Sequence, residues 1–125
     1  MSEVVTVLCV DDDSANVKLL ERILERRPHV RVVTATTGRQ AVAAARQHRP
    51  ALVFLDLTLP DMQGEDVLAE LRAEQATAGI PVVVVSGDTD PGRAGRLRES
   101  GAAEFLTKPI DIARVLEVVD RVATP

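Results

Sequence analysis

The sequence predicts a doubly wound α/β fold, with parallel strands covered by helices on both faces. Three observations point to it. Short β-branched runs alternate with helix-period segments five times along the 125 residues. The first, third and fourth runs are almost unbroken in apolar character, as expected of strands buried on both faces of a parallel sheet. No linker, repeat or low-complexity tract interrupts the alternation, so one domain with right-handed crossovers accounts for the sequence.

Each element has its own signal. The first strand is read over Val4–Val10 and ends in Asp11-Asp12-Asp13. The first helix, 14–27, sets Val17, Leu20, Ile23 and Leu24 on one face, with Ser14 or Asp13 available as N-cap. Glu21, Arg22, Glu25, Arg26 and Arg27 read as its salted outer face. The second strand, Val30–Ala35, is mixed in character, which suits a place near the sheet edge. Gly38 opens an alanine-rich helix over 39–48, with Ala41, Val42 and Ala45 facing in. The third strand, Ala51–Leu55, ends in Asp56, and the third helix, 64–75, faces inward through Val67, Leu68 and Leu71. The fourth strand, Pro81–Val85, ends in Ser86-Gly87. The fourth helix, 91–100, is weak. Gly92 and Gly95 each cost it ~1 kcal/mol of propensity, and Leu97 is its one large apolar anchor. The fifth strand, Glu104–Thr107, is mixed like the second and runs into Lys108-Pro109. The fifth helix starts from an Asp111 cap and carries Ile112, Val115, Leu116, Val119 and Val122.

Composition narrows the function classes. The chain is 46% hydrophobic without tryptophan or tyrosine, so its core is aliphatic. A net charge of −4, from 19 acids against 15 bases, lacks the basic footprint that nucleic-acid phosphates require. Cys9, the single cysteine, forms no internal disulfide and reads as a small buried hydrophobe. The first residues carry no signal-peptide pattern, and no apolar run approaches the ~20 residues that span a bilayer. The expectation is a soluble, cytoplasmic protein with no direct nucleic-acid or membrane partner. His29 and His48, beside Pro28 and Pro50, have no partner at metal-ligand spacing and read as solvated turn residues.

The chemistry gathers at the strand ends. In an open parallel sheet, ligands bind outside the carboxyl ends of the strands, and here those ends carry carboxylates, a hydroxyl and an ammonium. Two carboxylates ~4 Å apart repel by roughly 4 kcal/mol at an effective dielectric of ~20. Such a cluster calls for a positive occupant. Hard Mg²⁺ takes oxygen ligands, so carboxylates together with a phosphate oxygen suit it. Lys108 can clamp phosphoryl oxygens as a cation and Ser86 as a neutral donor. Asp56 stands alone at the end of the third strand and is the best-placed nucleophile for an aspartyl-phosphate.

Four stretches in order, "VDDD" at 10–13, "LVFLDLTLPDMQG" at 52–64, "PVVVVSG" at 81–87 and "FLTKPI" at 105–110, resemble the response-regulator receiver domains of two-component signalling. The likeness is to the chemotaxis-regulator-like single-domain kind and covers 1–125, with a core of about 4–122. It implies a flavodoxin-like five-stranded sheet of order 2-1-3-4-5. It implies Asp56 as phosphoacceptor, and Asp11, Asp12 and Asp56, with the backbone carbonyl of Thr58, as the Mg²⁺ ligands. The triple aspartate leaves the acidic pair open by one residue; the spacing from Val10 that the resemblance implies favours Asp11 and Asp12 over Asp12 and Asp13. Ser86 carries over to the hydroxyl that senses the phosphoryl group, Lys108 to the lysine that pairs with it, and Phe105 to the switch aromatic, facing solvent before activation. Pro109 matches a proline that follows a cis peptide, and Thr58 and Asp88 flank the incoming water.

The resemblance implies a signalling switch, with no enzymatic activity apart from catalysing its own phosphorylation and dephosphorylation. The donor is a sensor histidine kinase or a histidine phosphotransfer protein. Output runs through the face of the fourth helix, fifth strand and fifth helix, carrying Arg93, Arg96 and Val118, in a monomer or a weak dimer through that face. Two rival readings are weaker. A degenerate receiver used only for docking has no need of the intact Asp11, Asp12, Asp56, Ser86 and Lys108. An aspartate-nucleophile phosphatase of the haloacid-dehalogenase type needs a second aspartate two residues after the nucleophile, where this chain has Thr58.

Overall fold

The computed structural model describes residues 4–87 and 90–123. Strands and helices alternate as β1 (Val5–Val10), α1 (Ser14–Leu24), β2 (Val30–Ala35), α2 (Gly38–His48), β3 (Leu52–Leu55), α3 (Gly64–Ala73), β4 (Val82–Ser86), α4 (Pro91–Glu99), β5 (Glu104–Thr107) and α5 (Ile112–Val122). The five strands form one sheet in the order β2-β1-β3-β4-β5, and every pairing is parallel. The two strands of mixed character, β2 and β5, are the two edges.

Strand periodicity divides the core in two. Leu8, Val10, Val53, Leu55, Val82 and Val84 point to one face, where α2, α3 and α4 cover them through residues such as Val42, Leu68 and Leu97. Their alternates Val7, Cys9, Leu52, Phe54, Val83 and Val85 point to the other, under Leu20 and Leu24 of α1 and Val115, Val118 and Val119 of α5. Burial on both faces explains why the central strands read as continuous apolar runs. It also pushes the Cys9 thiol up to about 12, with Glu21 adding to the shift, so the sulfur is an inert part of this core.

The boundaries differ from the sequence reading where local hydrogen bonds intervene. Helix α1 stops at Leu24 instead of Arg27, because the amides of Arg26 and Arg27 donate three residues back, to Ile23 O and Leu24 O, ahead of Pro28. Helix α3 stops at Ala73: Glu74 is extended, and the buried Thr77 hydroxyl donates to Leu71 O at 2.6 Å. Val118 lies in the core at 1% exposure, since it shares a face with Val115 and Val119, and so it is absent from the surface assigned to it. Arg27 makes a two-pronged pair with Asp120 of α5, at 2.6 and 2.7 Å, rather than a pair within its own helix. His29 and His48 are half-buried, and His48 closes α2.

Candidate functional site

Strand register brings the acidic groups together. Val10 of β1 is paired with Leu55 of β3, so the next residues, Asp11 and Asp56, leave adjacent strands side by side. Their backbones extend the ladder: Asp56 N–H donates to Val10 O at 2.9 Å, and Asp11 N–H to Ala35 O at 3.1 Å. Carboxylate oxygens of Asp11, Asp12 and Asp56 all lie within 4.8 Å of one another. Asp11 and Asp56 are only 3% and 6% exposed, whereas Asp12 is exposed. Asp13 has a different task. Its side chain caps α1 by accepting from Ala15 N–H at 2.9 Å, and its own amide donates to Asp11 Oδ1 at 2.9 Å.

Lys108 reaches into this cluster from the end of β5. Its Nζ lies 3.2 Å from Asp11 Oδ2 and 3.6 Å from Asp56 Oδ1. Its amide donates to Ser86 O at 3.0 Å, continuing the β4–β5 pairing, and the following peptide to Pro109 is cis. Burial and the Asp11 charge push the Asp56 carboxyl above its ordinary value, outweighing Lys108 and the backbone N–H groups of Thr58 and Leu57. Burial opposes the Lys108 charge, but Asp56 and Asp11 win and raise its pKa. The site holds two buried anions against one cation, which leaves it short of positive charge.

The loop after Asp56 is folded tightly against the strand. Gly64 N–H donates to Leu57 O at 2.9 Å, and Thr58 bridges to Gln63. A Cβ on Gly64 would come within 2.6 Å of Leu57 Cδ2 and 2.9 Å of Leu57 Cα, so only glycine lets the loop close. Asp61, within the same stretch, accepts from the amides of Gly38 and Arg39 at 2.7 and 3.0 Å, tying the loop to the start of α2. Those bonds hold its carboxyl below the usual range.

Thr58 is exposed on this loop. Ser86 is half-buried at the end of β4, opposite Thr107, and lines a cavity of ≈ 240 Å³ with Leu57, Ala94, Leu97 and Phe105. Phe105 is half-buried against the core rather than facing solvent, with the Arg98 guanidinium 4.8 Å from its ring centroid. Thus Asp11, Asp12, Asp56 and Lys108 converge at one point, Thr58 stands on the adjoining loop, and Ser86 and Phe105 line the neighbouring cavity. Asp88 lies outside the described residues.

The sequence model of the family described as "Response regulator receiver domain" matches residues 7–120. The chain belongs to this family. The polar-differentiation response regulator DivK of Brucella anthropi is 31% identical to this receiver over 114 residues, which cover 91% of this chain and 92% of DivK. Among solved structures, chemotaxis response regulator CheY4 of Vibrio cholerae superposes on the receiver with a TM-score of 0.87 at 26% identity, covering 95% of this chain and 98% of that one. The receiver domain of sensor histidine kinase PA1611 from Pseudomonas aeruginosa, solved with a magnesium ion in its active-site cleft, gives 0.84 at 25% identity, over 95% and 97%. Receivers of this family are signalling switches rather than enzymes acting on external substrates. Among the described residues of this one, no helix is long and apolar enough to cross a membrane.

Sequence reasoning missed several residues that shape the site. Asp61 was part of a quoted motif, yet its link to α2 joins positions far apart in the chain. Arg72 and the pair Arg93–Glu65 were invisible for the same reason. At the start of α3 the Gln63 amide donates to Asp66 Oδ2 at 3.1 Å, but Gln-x-x-Asp departs from the Ser/Thr-x-x-Glu/Gln pattern by which such a cap is read.

Proposed function

We propose that this receiver is a phosphorylation-controlled switch in which Asp56 accepts a phosphoryl group from a histidine kinase or a histidine phosphotransfer protein. The observation that supports it most is the convergence of Asp11, Asp12 and Asp56 within 4.8 Å, with Lys108 beside two of them. An Asp56 oxygen attacks phosphorus, the O–P bond forms, and the P–N bond of the phosphohistidine breaks. Its electron pair leaves on the imidazole nitrogen, which is then protonated. Attack of water on phosphorus later returns Asp56 and inorganic phosphate.

The donor set suits magnesium: hard carboxylate oxygens, two of them buried, with excess negative charge. Asp11, Asp12, Asp56 and the Thr58 carbonyl would hold the ion, and bound there it would neutralise charge on the phosphoryl oxygens. Lys108 draws the phosphoryl group toward Asp56 and balances its charge. Ser86, at the mouth of the cavity, donates to a phosphoryl oxygen. Its movement, with repacking of Phe105 into the cavity, alters the α4-β5-α5 face that a partner reads. The protein acts there as a monomer or as a weak dimer.

Incubation with acetyl phosphate and Mg²⁺ should give one acid-stable, base-labile adduct per chain. Asp56→Asn should abolish it, and EDTA should slow it severely. Equal labelling of Asp56→Asn would remove Asp56 as the nucleophile.

A further inference from the structure

Helix α4 is anchored unlike the others. It buries a single side chain, Leu97, and a Cβ on Gly95 would meet nothing within 4 Å. Apolar packing therefore fixes only one point along it, and polar anchors on α3 hold its two ends. At the C-terminal end, Arg72 donates to Gly101 O at 2.8 Å and to Ala78 O and Ile80 O at 2.9 Å each. Gly101 sits at φ +106°, and a Cβ there would come within 2.6 Å of Arg72 Nε, so the two residues interlock. Backbone bonds from Ala102 N–H to Leu97 O and from Ala103 N–H to Val82 O complete this end. At the N-terminal end, Arg93 meets Glu65 two-pronged: Nε to Oε2 and Nη2 to Oε1, both at 2.8 Å, with Gln63 Oε1 at 3.3 Å. The pair is sheltered, its side chains 18% and 33% exposed.

The anchors differ in kind. The Arg72 end is a knot of backbone carbonyls around one side chain, while the Arg93 end is an ion pair between two side chains. Between them the ≈ 240 Å³ cavity lies beneath Ala94 and Leu97. We infer that α4 is a lever hinged at Arg72–Gly101 and latched to α3 by Arg93–Glu65, and that the latch sets the resting bias of the switch. This rests on the phosphorylation-switch reading. Ser86 and the first turn of α4 both line the cavity, through Ser86, Arg93 and Ala94, so a displacement of Ser86 toward Asp56 acts nearer the latched end than the hinged one. The latch stabilises the position seen here and lowers apparent affinity for any ligand that needs the other.

The test is a titration of the whole chain with beryllofluoride in Mg²⁺, followed by amide NMR because the protein has no tryptophan or tyrosine. Glu65→Gln should bind roughly fivefold more tightly. Amide shifts of 90–97 in the ligand-free variant should already lie toward their bound positions, with 99–103 unmoved. The charge swap Glu65→Arg with Arg93→Glu should return affinity toward the parent value, which a merely disordered variant would not do. Unchanged or weaker binding by a well-folded Glu65→Gln protein overturns the latch alone. A parent protein that binds no beryllofluoride overturns the switch reading, and the latch with it.

Discussion

Replacing Asp56 by asparagine should make the metal-free protein more stable, because the charge at this position works against the fold. Asp56 feels Asp11 within 4.8 Å and Lys108 at 3.6 Å. At an effective dielectric of 20, these amount to at least about 3.5 kcal/mol of repulsion, to which the exposed Asp12 adds, and about 4.6 kcal/mol of attraction. The Coulomb terms nearly cancel, so the loss of hydration at 6% exposure decides the sign. A carboxyl whose folded pKa is raised, as this one is, binds its proton more tightly folded than unfolded, so ionising it at pH 7 costs stability. Asparagine keeps the shape and removes that cost. We expect a gain of about 1–2 kcal/mol, or ~4–8 °C in Tm for a domain of this size. Circular dichroism in EDTA at pH 7 measures it directly. An Asp56→Asn protein that melts at or below the parent temperature would refute this reasoning, because Lys108 would then outweigh burial.

Three further outcomes are expected. Mg²⁺ at ten times its Kd should stabilise the parent by about 1.4 kcal/mol. Asp12→Ala should abolish that gain yet shift the metal-free Tm little, since Asp12 is exposed; a full Mg²⁺ response in the variant would remove Asp12 from the metal site. Gly64→Ala forces a Cβ against Leu57 Cα, next to Asp56, and should cost about 1–3 kcal/mol in urea unfolding and slow phosphoryl labelling; wild-type rates would show the loop is not what positions Asp56. Finally, Arg93 holds the Glu65 carboxyl below its ordinary value. The stability from this pair is therefore present above the unfolded glutamate pKa, about 4.3, and lost as pH falls through the lower folded value. Glu65→Gln should lose up to ~1 kcal/mol at pH 7, and the gap should close in acid; a gap independent of pH would mean the pair contributes by shape alone.

Much of this was legible because the fold repeats two simple rules. Strands buried on both faces must be apolar throughout, which exposed β1, β3 and β4, and mixed patterns placed β2 and β5 at the edges. The strand order itself came from the family resemblance, since periodicity says nothing of neighbours. The acidic site was readable as strand-end chemistry, and Asp13 was readable as one of two candidate caps, beside Ser14. The structure decides between the two: Asp13 is the cap, and Ser14 is the first helical residue. What stayed hidden has no periodic signal, as with Thr77 closing α3 onto Leu71 and Arg72 gathering the carbonyls of Ala78, Ile80 and Gly101, whereas the inward turn of Val118 follows from the face it shares with Val115 and Val119.

The energetics also rank the helices by what it costs to move each one. Helix α1 buries Val17, Leu20, Ile23 and Leu24, and α5 buries Val115, Val118 and Val119. At about 1.5–3 kcal/mol for each buried aliphatic side chain, lifting either helix off the sheet costs roughly 5–12 kcal/mol. Helix α4 buries Leu97 alone, about 2 kcal/mol by the same measure. In the proposed switch, a single phosphoryl group acting through one or two charge-assisted hydrogen bonds of about 1.5–3 kcal/mol each would be matched to the last of these and not to the others. The poor helix propensity of Gly92 and Gly95 is therefore consistent with the proposed switch: a fourth helix packed as well as the first would hold its place whatever happened at Asp56.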